Sequence, residues 1–511
     1  MHLLQRTTFG ARPQDVEAVR RTGTAAFLDR QMHPEQISDT ALEKRLASFE
    51  TLSLTSKQIA EDYYQPAQQV RRRRQAQGQG AAPPDAADQE ILRKERLVLQ
   101  ELGEQKILRA VYSERQLQEV LVDFWFNHFN VFAGKGADRG LLTAYERDAI
   151  RPNVFGRFRD LLGATAQSPA MLFYLDNWMS VDPNGPHPLG KQTARLPRSA
   201  NRGLIGLALP PPRAPDERQP AAAANRPRRG LNENYARELM ELHTLGADGG
   251  YTQRDVVEVA RCFTGWTIRQ PRDGGDFFFD ERQHDPEQKV VLGHVIKPGG
   301  GKEDGERILD LLARDPHTAR FIATKLARRF VADDPPAALV DRLARRFRDT
   351  DGNLREVYAA LFRSPEFWDD RAYDTKIKTP LEYLASAMRV TGAEVETATA
   401  SLQVLRTLGM PLYYCQQPNG YPDRADTWLN AGAVLARMNV ATALADGRLT
   451  GVRLAVAALD GSGDVAVMRS TLVARVLNGD PSPATAASIA AATRAPQLLA
   501  LVLGSPDFQR R

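Results

Sequence analysis

Residues Leu231 to Trp266, LNENYARELMELHTLGADGGYTQRDVVEVARCFTGW, constrain the fold more than any other stretch of this chain. Acidic, amide and histidine side chains crowd a segment in which Tyr235, Leu239 and Leu242 recur at helical spacing. The spacing predicts a helix from Asn232 to about Leu245 and a break at Gly246 and Asp248-Gly249-Gly250. A second helix then starts from an N-cap Thr252, with Asp255 at its third position. A helix, a glycine turn and a second helix organise polar groups here.

Helical periodicity dominates elsewhere too. Ser113 with Gln116 reads as a capping box ahead of LQEVLVDFWFNHFNVF, and Asn353 with Glu356 as another ahead of VYAALF. Asp349-Thr350-Asp351-Gly352-Asn353 is no calcium loop, because Leu354 and Ala360 stand where an EF-hand needs Gly and Glu. Ser364-Pro365-Glu366-Phe367 and Ser505-Pro506-Asp507-Phe508 each follow an apolar helix and read as helix starts in a repeated unit. FFFD at Phe277 to Asp280 and KVVLG at Lys289 to Gly293 are spaced for one small hairpin with HDPEQ near its tip. The predicted fold is predominantly α-helical, a large multi-helix body with one small β-hairpin near 277–293 and two irregular insertions.

Those insertions set the organisation. Gln65 to Asp88, with Arg71-Arg72-Arg73-Arg74 and QAQGQGAAPPDAAD, has no hydrophobic period and reads as an exposed loop. Asp182 to Gly230 is rich in Pro, Arg and Ala, and between Lys191 and Arg229 nine basic residues face only Asp216 and Glu217. The expected division is 1–64 N-terminal helical segment, 65–90 linker, 91–181 first core part, 182–230 basic insertion, 231–370 motif-bearing core part and 371–511 C-terminal helical region. The 511 residues carry a formal charge of only +5, which gives no general nucleic-acid signal. There is no run of 18 apolar residues, so no membrane span is expected. The opening MHLLQRTTFG lacks a signal peptide, and Cys262 and Cys415 are too few for a disulfide framework.

Candidate chemistry lies in three places. From Gln116 to Asn130, the residues Gln116, Glu119, Asp123, Asn127 and Asn130 fall on one narrow stripe amid Phe124, Trp125, Phe126 and Phe129. The stripe is either the one wet edge of a buried helix or the wall of a polar cleft. In the motif helix Asn234, Arg237, Glu238 and Glu241 share a polar arc, and His243 sits on the apolar face. His243 is about 140° from Glu238, so HExxH geometry is absent. His128 and His243 both read as core histidines. His284-Asp285 is a loop pair that can serve as general base, as metal ligand or in neither role. No GxSxG, P-loop, dinucleotide fingerprint or Cys-x-x-Cys occurs.

Taken together, HLLQRTTFGARPQDVEAV, WFNHF, the 231–266 motif, HDPEQKVVLG, RRFV with DDPP, SPEFW, KTPLEY and LGMPLYYCQQPNGYPDRADTWLNAGAVLARMN resemble the bacterial family catalogued as domain of unknown function 1800. The resemblance spans nearly the whole chain and implies a predominantly helical architecture, with no established reaction, substrate or cofactor. It also implies an encoded companion, since many relatives are exported and sit beside a member of domain-of-unknown-function family 1501, itself similar to sulfatase-like secreted proteins. Opening directly at HLLQRTTFG, this chain is expected in the cytoplasm as written. A periplasmic or secreted location follows if the start is truncated or a companion exports it.

Two functional expectations follow. One is an enzyme whose polar cleft joins Asp123, Asn127, Glu238, His284 and Asp285 for general acid/base hydrolysis or lysis of a polar substrate, with or without a divalent metal. The other is a non-catalytic accessory or maturation protein for the family 1501 companion, with the basic insertion and Pro418 to Asp423 as contact surfaces.

Overall fold

The computed structural model describes residues 1–78, 83–185, 230–271, 273–456, 459 and 464–511. Among them 24 α-helices stand against three two-stranded antiparallel sheets. The longest helix, Ala86–Tyr112, has 27 residues and buries most of its second half. It packs against helices Gln65–Ala76, Pro380–Thr391 and Thr399–Thr407. One hydrophobic cluster reaches from Leu3 to Phe508, so both ends of the chain share a core with its middle. No helix among the described residues is long and apolar enough to cross a membrane.

Local chemistry sets several boundaries as expected. Asn232 accepts from the Tyr235 N–H at 3.1 Å and starts Glu233–Glu241. Thr252 and Asp255 complete the reciprocal capping box of Gln253–Cys262. Asn353 caps Leu354–Phe362 through the Glu356 N–H, but the expected box stays half made because the Glu356 carboxylate pairs with Arg346.

Four expectations change in the folded chain. Ser113 does not start helix Gln116–His128; its hydroxyl donates to Asp39 at 2.6 Å, and Arg115 stands at the N-cap. Gln116 instead ties to the backbone of Ser113, Ala110 and Phe9. The deciding partner is 74 residues away in sequence.

The stretch expected as a loop from Gln65 is helical over Gln65–Ala76, and helix resumes at Ala86. Ala67 and Val70 are buried, while Arg71 and Arg73 pair with Glu95 and Asp88. Tertiary contact outweighs the weak local signal. Of the two irregular insertions, 79–82 and 186–229 lie outside the described residues.

The two strand candidates exist but do not pair with each other. Phe277–Phe279 pairs with Trp266–Ile268, and Lys289–Val291 pairs with His294–Ile296. The second pair closes through Leu292 and Gly293, both at positive φ (50° and 79°), a two-residue hairpin turn without the usual Asn-Gly.

The two Ser-Pro-acid-Phe copies share one geometry, but they end helices. Ser364 Oγ donates to Leu361 O at 2.7 Å and accepts from Phe367 N at 3.2 Å; Ser505 Oγ does the same with Val502 O at 2.7 Å and Phe508 N at 3.1 Å. Burial of Phe367 and Phe508 folds each turn back under its helix.

Candidate functional site

The polar stripe of helix Gln116–His128 faces protein rather than water. Glu119, Asp123 and Asn130 are at most 9% exposed. Glu119 receives both guanidinium nitrogens of Arg151, at 2.7 and 3.0 Å. Asp123 lies 3.3 Å from Lys106, whose ammonium also meets Glu146 at 3.2 Å. Tyr413 donates to Glu146 at 2.7 Å. Burial works against the Lys106 charge, yet Glu146 and Asp123 hold its pKa above the ordinary lysine value. Burial likewise opposes the Glu146 charge, and Lys106 and Arg151 outweigh it, keeping the carboxylate ionised.

The stripe's amide end grips a distant loop. The Asn127 side chain donates to Tyr421 O at 2.8 Å and accepts from Tyr421 N at 2.7 Å. Asn130 donates to Cys415 O at 2.9 Å and Gln417 O at 2.8 Å. Gly420 sits between them at φ +72°, where a Cβ would lie 2.2 Å from Asn127 O. Only glycine fits that crossing.

Beyond the loop, a second charge cluster gathers the remaining motifs. Arg329 of RRFV lies 2.7 Å from Glu382 of KTPLEY and 3.7 Å from Asp423 of PNGYPD. Lys376 pairs with Asp333 of DDPP and donates to Asp423 O at 2.9 Å. The 415–423 loop, held by Asn127 and Asn130 on one side and by Arg329 and Lys376 on the other, links the two clusters. His2 bonds Phe367 O of SPEFW at 2.9 Å. Motifs scattered along the chain thus meet in one buried polar spine.

His128 and His243 join the two best-marked motifs. His128 Nε2 donates to His243 O at 3.1 Å, with the rings 6.1 Å apart. Burial, aided by the nearby Lys325 ammonium, lowers the His243 pKa to about 3 and that of His128 well below the ordinary range. Both are neutral core histidines at pH 7.

His284 and Asp285 belong to a separate buried network. His284 faces Thr264 O at 2.9 Å and Asp304 at 3.2 Å, so neither ring nitrogen points into open space. Asp285 takes a forked pair from Arg261 at 2.7 and 3.1 Å, and Lys289 reaches Asp304 at 2.7 Å. This network fastens the Lys289–Val291 hairpin to helix Gln253–Cys262. Among the described residues no hydrogen bond or ion pair joins it to Asp123, Asn127 or Glu238.

Glu238 differs from the other candidates. It is half-buried, and its carboxylate takes part in none of the side-chain hydrogen bonds or ion pairs of the described residues; burial and then Glu241 raise its pKa. Its charge reaches Tyr174, whose hydroxyl donates to Gln416 O at 2.7 Å. Among the described residues no three His, Cys, Asp or Glu side chains are grouped to hold a metal.

Asp123 and Asn127 therefore stand in one connected region and His284 and Asp285 in another, while the Glu238 carboxylate is bonded to neither among the described residues. Sequence reasoning missed Lys106, Glu146, Arg151, Arg329 and Glu382. In a surface helix these charges look the same as in a buried one, and only the partner elements distinguish them.

A family model described as "Protein of unknown function (DUF1800)" matches residues 2–510. No curated protein and no solved structure matches the chain.

Proposed function

The chain belongs to the family described as protein of unknown function (DUF1800), a description that assigns no reaction, and from its geometry we propose that it is a non-catalytic accessory protein that docks an apolar helix of a companion. One observation carries this reading. Helix Ala431–Ala445, AGAVLARMNVATALA, is mostly apolar, a pattern that belongs to buried helices, yet its outer face is uncovered and sets Leu435 and Met438 beside Asn439 and Thr442. Leu429, Leu435 and Met438 are 45%, 59% and 47% exposed. The helix's one charged residue, Arg437, points inward to Lys378 O at 2.7 Å.

Beside it runs a groove of about 710 Å³ between this helix and Ala495–Gly504, walled by Leu429, Val434, Met438, Pro496, Ala500 and Leu501. Arg494 and Arg510 outnumber Asp446 at its rim, so an apolar helix with acidic flanks complements it. The groove directly follows the PNGYPD loop, which the buried spine holds in place. The partner proposed is the family 1501 companion.

The test is co-expression with that companion and size-exclusion chromatography of the pair. Co-elution that is lost in Leu435→Glu/Met438→Glu, with the thermal midpoint unchanged, supports the reading. No complex with the companion refutes it, and self-association abolished by the same variant assigns the face to a second copy instead.

Glu238 supports a second reading, an acid/base enzyme. A half-buried carboxylate with a raised pKa and no partner suits a general acid. A chromogenic ester, phosphodiester and glycoside panel, with and without divalent metal, tests it: turnover must appear and must vanish in Glu238→Gln.

A further inference from the structure

We infer a second binding site, independent of the docking face: the cleft between helices Gln65–Ala76, Ala86–Tyr112, Asp138–Ala144 and Thr399–Thr407 takes a small ligand that carries a carboxylate or phosphate on a ring-sized polar body. The cleft is about 480 Å³, within the roughly 300–1,000 Å³ of small-molecule sites. Arg71, Arg96, Arg139 and Arg406 line it against a single acid, Glu95, a net charge of +3.

The arrangement is built rather than incidental. Glu95, 4% exposed, forms the floor and engages both guanidinium nitrogens of Arg71, with Arg139 at 3.7 Å. Burying an acid there orients two of the arginines and is itself neutralised by them, so Arg96 and Arg406 stand as surplus charge. Among the described residues Arg96 donates only through Nε, to Leu92 O at 3.2 Å, and Arg406 only through one nitrogen, to Gln403 at 3.0 Å. Both are exposed. The buried Arg139 Nε has no hydrogen-bond partner among the described residues. The terminal nitrogens of Arg96 and Arg406 are donors of the kind that fork onto carboxylate or phosphate oxygens.

The rest of the lining mixes apolar and aromatic side chains such as Leu99, Leu402, Tyr64 and Tyr414 with polar ones such as Gln100 and Thr399. Tyr64 is anchored by its hydroxyl to Arg139 O at 3.0 Å, and Tyr414 is 39% exposed. Arginines and tyrosines lining one cleft together suit an acidic sugar better than an extended polyanion or a bare ion.

The test is titration calorimetry of the full chain with glucuronate, glucose 6-phosphate and glucose at constant ionic strength. Glucuronate, glucose 6-phosphate or both should bind, glucose should bind at least tenfold more weakly, and Arg96→Gln or Arg406→Gln should each weaken the anion by roughly tenfold or more. The Arg96 and Arg406 variants leave the Glu95 pair intact, so their thermal midpoints should match the wild type. Binding of one anion only identifies the oxyanion. Neither anion binding better than glucose, or unchanged affinity in both variants, would overturn the assignment.

Discussion

Asn127 and Tyr421, 294 residues apart, exchange two hydrogen bonds, the amide donating to Tyr421 O at 2.8 Å and its oxygen accepting from Tyr421 N at 2.7 Å. The side chain imitates a paired backbone and fixes the loop that leads to the uncovered helix. Asn127→Ala leaves a backbone N–H unpaired and should cost about 1–3 kcal/mol in urea unfolding. Gly420→Ala meets both a positive φ and the Asn127 carbonyl, and should cost at least as much. If Gly420→Ala unfolds at the wild-type urea midpoint, the close crossing is not real.

Glu146 should be a stability residue. Glu146→Gln leaves Lys106 and Arg151 short of a counter-charge inside the protein and should destabilise by about 3–5 kcal/mol. Its folded pKa is depressed, so its contribution is present above the unfolded value near ~4.3 and is lost as pH falls through the folded value. Wild-type stability should drop below that pH, and the variant's profile should be flatter there.

His128 and His243 impose a second acid limit, higher up the scale. Their folded pKa values lie below the unfolded value near ~6.5, so stability is full above it and declines as pH falls towards the folded values, about 3 for His243. The slope approaches about 1.4 kcal/mol per pH unit for each histidine inside that window. His243→Ala should lower neutral-pH stability by about 2–4 kcal/mol through the cavity it leaves and remove part of the slope. Parallel slopes in variant and wild type between pH 6 and 4 would contradict this.

Glu238→Gln should behave in the opposite sense. A carboxyl with a raised folded pKa costs stability when ionised, so the amide should hold or raise the thermal midpoint at pH 7 to 8. The difference should vanish below the unfolded carboxyl value near ~4.3. A clear loss of stability at pH 7 would mean that Glu238 has a cationic partner in solution.

Much of the architecture was written locally. Thr252 with Asp255, Asn232 and Asn353 mark helix starts because a cap needs only neighbours within three residues, and the apolar spacing of Tyr235 and Leu239 names the buried face. The narrow stripe from Gln116 to Asn130 announced that its polar groups had to be paired or wetted. Which of these happened was decided elsewhere in the chain, by Lys106, Arg151 and the backbone of Tyr421. The same holds for Ser113, claimed by Asp39, for Phe277–Phe279, which paired with Trp266–Ile268, and for Arg71, an apparent loop residue until Glu95 met it. A sequence fixes periodicity and caps because their energies act over one helical turn. Ion pairing, strand partnership and burial of charge depend on surfaces brought together from hundreds of residues apart, and only the tertiary structure sets those distances.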